Sequence, residues 1–180
     1  MRSTVLACVL ALASASFDYT GKASKKDVAN FFKQGQKTYL YKRSYLRLVS
    51  GDSIKCIYTQ STGTTGDTIN LFQGYDHRGN VTNYSFDVTV SRKDYLDDAP
   101  VMEALRKTRP MKRRYHFHFY DSEAKCAVIT FSDQDGAIRC EIHIWGPNRP
   151  GKPLTNCELE YQYLCPHHET YLVYDDSCTH

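Results

Sequence analysis

The stretch from Cys126 to Cys165 leaves a chain of this kind few ways to fold. It reads KCAVITF, a turn at Asp133-Gln134-Asp135-Gly136, then RCEIHIW, a Pro/Gly loop and LTNCELEYQYLC. Two short runs rich in branched and aromatic residues, joined by a Gly turn, specify a β-hairpin. Thr155 with Glu158 three residues later has the capping-box pattern of a helix start, and Leu159, Tyr163 and Leu164 supply an apolar stripe behind it. Four cysteines in this one unit imply that hairpin and helix are stapled together. Within RCEIHIW the side chains alternate, with Glu141, His143 and Trp145 on one face and Cys140, Ile142 and Ile144 on the other. A carboxylate, an imidazole and the only tryptophan on one face are unusual for plain core. The competing reading is the solvent face of an ordinary strand.

The chain has 180 residues, enough for one domain with one core. Its start, MRSTVLACVLALASAS, combines a basic Arg2, an apolar run from Val5 to Ala13 and small residues after it. That is the pattern of a secretory signal peptide over residues 1–16, and the run is too short to span a bilayer. The expectation is a single mature domain over 17–180, secreted and extracellular. Of seven cysteines, six remain once Cys8 leaves with the signal. An even count in a secreted chain implies a disulfide framework, with 15 possible pairings. No CxxC or HxxxH spacing occurs, so no zinc site is expected, and no cofactor either. The formal charge of +3 falls to +2 without Arg2, too weak a bias to argue for nucleic acid or a membrane, although local clusters still matter. With 14 tyrosines and 41% hydrophobic residues, the first class is a Tyr-rich β protein.

Ser24 to Gln36 reads as a short helix, capped by Ser24 and Asp27, with Val28, Phe31 and Phe32 as its apolar stripe. From Lys37 the period moves toward two. KTYLYKRSYLRL sets Tyr39, Tyr41 and Tyr45 on one face and Leu40, Leu46 and Leu48 on the other. Ser50-Gly51-Asp52 makes a turn before SIKCIYTQ, and Ser61 to Asp67 reads as a mobile loop. TINLFQGY follows as a strand, His77-Arg78-Gly79-Asn80 turns the chain, and TNYSFDVTV alternates: Tyr84, Phe86, Val88 and Val90 face one way, Asn83, Ser85, Asp87 and Thr89 the other. Two N-glycosylation sequons begin at Asn80 and Asn83, and the secretory context favours the use of at least one.

Asp94 to Lys107 reads either as a helical turn or as a long loop. Arg106, Lys107, Arg109, Lys112, Arg113 and Arg114 then form a basic run, either a solvated face or a means of steering an anionic ligand. In RRYHFHFY, Tyr115, Phe117 and Phe119 alternate with His116 and His118. The two histidines share a face, but metal binding needs a third ligand. Tyr171 to Tyr174 forms a last short strand before Cys178.

About eight regularly spaced antiparallel strands, a short N-terminal helix and one late helix packed outside imply an all-β sandwich or closed barrel. An eight-stranded barrel can be filled or can hold one small ligand. The KC of the second strand, KCAV and CEIHIW in the late hairpin, NCELEYQYLC and the last Cys178 resemble the tick salivary lipocalins, also called the tick histamine-binding family. The resemblance covers nearly the whole mature chain and implies an eight-stranded antiparallel lipocalin barrel. It also implies the pairings Cys56–Cys178 and Cys126–Cys157, which leaves Cys140–Cys165.

Amine-binding members share the pattern Cys-Asp-aliphatic, a variable turn, Glu-Leu-Trp/Tyr and a later Cys. The acidic residues matter because a protonated amine inside a barrel needs a carboxylate to replace its hydration. Here Ala127 stands where the pattern has Asp, Glu141 keeps the Glu, Ile142 replaces Leu and His143 replaces Trp or Tyr, with Trp145 further along the same face. The resemblance therefore implies a ligand site around Glu141 and His143, with Tyr45, Phe117, Phe131 and Trp145 as walls. The function it implies is a secreted, monomeric, non-enzymatic salivary lipocalin that sequesters histamine or serotonin and so suppresses the host inflammatory response. Two alternatives stay open: the same barrel holding a lipid mediator such as a leukotriene, fatty acid or sterol, or a structural barrel that binds a host protein. An acidic pocket favours the first reading, a basic-rimmed apolar pocket the second, and a filled barrel the third. No Ser-His-Asp or Cys-His arrangement and no Gly-rich phosphate loop has sequence support, so neither catalysis nor nucleotide binding is expected.

Overall fold

A computed structural model describes residues 22–91, 99–108, 111–146 and 151–178. In chain order the elements are α1 (Lys25–Phe31), β1 (Lys37–Arg43), β2 (Leu48–Val49), β3 (Asp52–Ser53), β4 (Lys55–Thr65), β5 (Thr68–His77), β6 (Asn80–Ser91), β7 (Val101–Arg106), β8 (Lys112–Asp121), β9 (Cys126–Ser132), β10 (Ile138–Trp145), α2 (Thr155–Leu164) and β11 (Tyr171–Leu172). Strands β4 to β10 follow one another as antiparallel neighbours, and β1 pairs with both β4 and β10. That last pairing closes an eight-stranded barrel, with β11 added beside β1. Closure leaves no long open edge for another chain to pair with. The short β2–β3 hairpin stands apart from the barrel sheet.

The hairpin turns follow from residues that tolerate a left-handed backbone. Arg78 and Gly79, with φ of 56° and 77°, join β5 to β6. Gly136, at 79°, stands in the β9–β10 turn. The expected loop from Ser61 to Asp67 is instead mostly strand: β4 runs to Thr65 and pairs with β5 down to Thr65↔Thr68. The segment that read as helical turn or loop contains β7. Its composition suits a helix, but β6 and β8 flank it and take up its backbone hydrogen bonds. Of that segment, residues 92–98 lie outside those described.

Four register shifts interrupt the barrel sheet, two of them in β4, and those in β1 and β8 decide which side chains of the site face inward. In β1 the register shifts between Leu40 and Lys42, and in β8 between Phe117 and Phe119. A bulge adds one residue to one strand and so switches the phase of everything beyond it. Tyr39 and Tyr41 consequently lie with the outer core and Leu40 in the interior, while Tyr45, expected on the tyrosine face, turns inward. Phe119 likewise leaves the phase of Tyr115 and Phe117 and packs with the outer core.

The two helices take different places, α1 at one end of the barrel and α2 on its outer wall. Helix α1 is capped as expected: Ser24 Oγ accepts from the Asp27 N–H at 3.2 Å, and Asp27 Oδ2 accepts from the Ser24 N–H at 2.8 Å. Such a cap contributes about 1 kcal/mol. The helix ends at Phe31, short of the expected Gln36. It buries Val28, Phe31 and the following Phe32 against Phe117, Ile129 and Met102, which plugs one end of the barrel.

Helix α2 lies outside, over β8, β9 and β10. Its N-cap is Leu154, with no side-chain hydrogen bond, so the expected Thr155–Glu158 capping box is not formed; Glu158 pairs with Lys42 instead. The expected stripe also differs, since Leu159 and Tyr163 are exposed and the buried residues are Cys157, Glu160 and Tyr161. Disulfides Cys126–Cys157 and Cys140–Cys165 bind this helix to β9 and β10, and Cys56–Cys178 ties the C-terminal segment to β4. With two covalent tethers the helix needs little apolar stripe of its own.

Candidate functional site

The barrel encloses a cavity of about 470 Å³, within the usual range for small-molecule sites. Its closed end is apolar: Phe32 from the α1 plug, Leu71, Val88, Met102 and Ile129. Toward the other end the lining turns aromatic and charged, with Tyr45, Tyr84, Tyr115 and Phe131 beside Arg47, Arg106 and Arg113. The half-exposed Leu46 and Met111 also line it and carry the apolar surface out to solvent.

Phe131 is the hub of the aromatic wall. Tyr45 and Tyr115 both meet it edge-on at 5.4 Å, and the Arg113 guanidinium lies 4.7 Å from its ring centre. Arg106 stacks 4.2 Å from the centre of Tyr84, whose hydroxyl donates to Gln73. Stacking holds both guanidiniums at the wall, where Arg106 Nε also donates to Thr108 Oγ1 at 3.2 Å and Arg113 hydrogen-bonds Tyr115.

Glu141 is buried beside this wall and is already engaged. The Tyr45 hydroxyl donates to Oε1 at 2.5 Å, and Oε2 lies 2.8 Å from His143 Nε2. A carboxylate only accepts, so the imidazole must donate there. Burial pushes the Glu141 carboxyl up, but His143, the Tyr45 hydroxyl and the charge of Arg43 together outweigh it and hold the group below its ordinary value. Glu141 is therefore ionised at neutral pH. Arg43, opposite it on β1, is fully buried, with its guanidinium 5.2 Å from the Tyr45 ring centre and Nη2 donating to the Arg47 carbonyl at 3.2 Å. Burial followed by the charge of Glu141 raises both Tyr45 and Tyr115, so both phenols stay protonated. Asp133, the other carboxylate of the lining, accepts from Arg139 at 3.2 Å and from the Gln134 N–H at 2.9 Å.

Of the expected site residues, Glu141, His143, Tyr45 and Phe131 line the cavity together. Phe117 and Trp145 do not. Phe117 is wholly buried against Phe31 and Phe32, and Trp145 donates its indole N–H to the Phe31 carbonyl at 3.1 Å, with Lys125 over its ring. Both belong to the α1 plug. The outward histidines of β8 stack at 6.0 Å, and His118 Nε2 meets Thr130 Oγ1 at 2.8 Å. Among the described residues no group of three metal-ligating side chains includes them. Sequence reading saw Arg106 and Arg113 only as part of a basic run and missed Arg43 and Arg47. The signal for Arg47 was its place between Leu46 and Leu48, a cation between two exposed aliphatics.

Comparison with solved structures finds the same barrel. The AM182 serotonin complex superposes with a TM-score of 0.60 at 18% identity, covering 91% of this chain and 97% of that one. Japanin from Rhipicephalus appendiculatus bound to cholesterol gives 0.57 at 17% identity, covering 82% and 97%. At such identities the likeness is one of fold. No curated protein matches the chain in sequence. The model of the family described as tick histamine binding protein matches residues 17–180, the span of the barrel with its helices and all three disulfides, and the chain belongs to that family.

Proposed function

We propose that this protein is a secreted lipocalin that sequesters an amphipathic host mediator carrying a carboxylate, of the fatty-acid or leukotriene class, and thereby suppresses the host inflammatory response. One observation carries the reading: three arginines, Arg47, Arg106 and Arg113, line a cavity that is apolar at its closed end. The one carboxylate among the aromatic wall, Glu141, already accepts from Tyr45 and His143 and faces the charge of Arg43. An apolar tail fits against Phe32, Leu71 and Val88, and an anionic head meets guanidiniums that the aromatic rings hold in place. Binding here needs no chemistry. The similar barrels hold small molecules, serotonin in the AM182 complex and cholesterol in japanin, and the proposed ligand is likewise small. Secretion rests on the signal-like start and the three disulfides, and Asn80 and Asn83, both exposed on β6, are the proposed glycan sites.

A second reading rests on the ionised state of Glu141. A biogenic amine, histamine or serotonin, would bind that carboxylate with Tyr115 and Phe131 beside it, in competition with the nearby Arg43 and Arg113. Calorimetric titration of the oxidised protein with arachidonate, histamine and serotonin separates the two. The expected result is binding of arachidonate that weakens about tenfold in Arg113→Gln, the loss of one charged hydrogen bond. Heat with an amine alone, abolished by Glu141→Gln, would replace the lipid reading with the amine one.

A further inference from the structure

The mouth of the cavity presents two large aliphatic side chains of the lining to solvent. Leu46 is 52% exposed and Met111 54%, and both also face into the cavity. Leu48, two residues along, is 51% exposed on the β2–β3 hairpin. They come from the β1–β4 and β7–β8 connections, so no single element explains their exposure. Cations stand among them: Arg47 lies between the two leucines, and Arg106 donates to Thr108 in the β7–β8 turn that leads to Met111. Arg113 follows two residues after Met111. Of the two carboxylates in the lining, Asp133 is paired with Arg139 and Glu141 is buried, and both lie near Arg113, so these two face the three arginines Arg47, Arg106 and Arg113.

Protruding aliphatics interleaved with arginines match a particular partner. A lipid bilayer with anionic headgroups offers hydrocarbon for the tips of Leu46, Leu48 and Met111, and phosphates and carboxylates at the depth of the guanidiniums. A protein partner would need a shaped complement to these tips, whereas a bilayer accepts them wherever they project. We propose that the open end of the barrel docks reversibly on an anionic lipid surface, so that the cavity mouth faces the membrane and a lipid ligand passes from bilayer to barrel past Leu46 and Met111 without crossing water. The ligand passage rests on the function proposed above; the docking does not.

The test is co-sedimentation of the secreted, oxidised chain with vesicles of phosphatidylcholine alone and of phosphatidylcholine with about a third phosphatidylserine. The expected result is sedimentation with the mixed vesicles, much less with the neutral ones, and loss of binding as salt rises to about 0.5 M. The triple variant Leu46→Asp, Leu48→Asp, Met111→Asp should bind at least about tenfold more weakly, while Leu159→Asp on the outer helix binds as the parent does. All four positions are half-exposed, so the fold tolerates the changes, and an unchanged circular-dichroism melt confirms it. Equal sedimentation of the triple variant and the parent, or no sedimentation with either vesicle, overturns the proposal. So does a parent that elutes as a dimer which the triple variant dissociates, since the face would then belong to a second copy. Arachidonate binding without vesicle binding removes the docking alone, and vesicle binding without arachidonate binding removes only the ligand.

Discussion

Arg43 and Glu141 stand opposite one another across the seam where β1 meets β10, a fully buried guanidinium facing a buried carboxylate, with the Tyr45 side chain between the guanidinium and the carboxylate oxygens. The seam that closes the barrel thus carries its own charge compensation. A charge removed from either side leaves the other uncompensated in a low-dielectric interior.

Glu141→Gln and Arg43→Met should each destabilise the fold by about 3 kcal/mol, and the double variant by clearly less than the sum. Urea denaturation of the four proteins measures the coupling. Strict additivity would show that the two charges do not sense each other.

Gly74 has an ordinary strand backbone, yet a Cβ there would lie 2.5 Å from Tyr58 Cζ. Gly74→Ala should cost about 1–3 kcal/mol through displacement of that ring. In a Tyr58→Leu background the same change should cost much less. Thermal melts of the two pairs decide, and an equal cost in both would place the strain elsewhere.

Burial, with the neighbouring His116 second, pushes His118 down to about 4. The unfolded chain takes up a proton there near pH 6.5, while the folded chain resists until about pH 4. Stability is therefore complete above about pH 6.5 and falls through that window on acidification, by on the order of 3 kcal/mol. His118→Gln should flatten the slope of unfolding free energy between pH 6.5 and 4. Glu141, held below its ordinary value, adds a separate loss that begins only as pH drops through the carboxylate range.

The chain-entropy model ranks the disulfides. Cys56–Cys178 spans 122 residues and Cys140–Cys165 spans 25, so removal of the first should cost about 5 kcal/mol and of the second about 3.5. Paired Ser variants compared by denaturant midpoint test the order; a larger loss from the Cys140–Cys165 pair would mean that the tether to α2 outweighs loop entropy.

Much of this barrel was legible in its sequence. Turn residues such as Gly79 and Gly136 marked the hairpins, and the alternation of Tyr84, Phe86 and Val88 set the inner face of β6. Strand β7 was not, because Met102, Glu103, Ala104 and Leu105 favour a helix and only pairing on both sides overrides them. Bulges leave no local signature, so the phase change at Tyr41 and at His118 hid the inward turn of Arg43, the parting of Tyr45 from Tyr39 and Tyr41, and the outward turn of Phe119. At the site, Glu141 and His143 could be read because β10 alternates without interruption through them. Trp145 follows the same alternation but lies far enough along β10 to meet α1, and period alone does not tell depth in a barrel.

A ribosome delivers this chain from its N-terminus, and the order of its six bridged cysteines then sets a problem of timing. Cys56 emerges first of the six, and its partner Cys178 emerges last. Between them come Cys126, Cys140, Cys157 and Cys165, whose two bridges interleave. Cys56 must wait as a free thiol, or hold a temporary partner and exchange it, until Cys178 has been made. Strand β1 waits as well, since β10 is a hundred residues downstream. Closure of this barrel therefore waits for its last bridged cysteine, and the rate of thiol–disulfide exchange becomes a determinant of its yield.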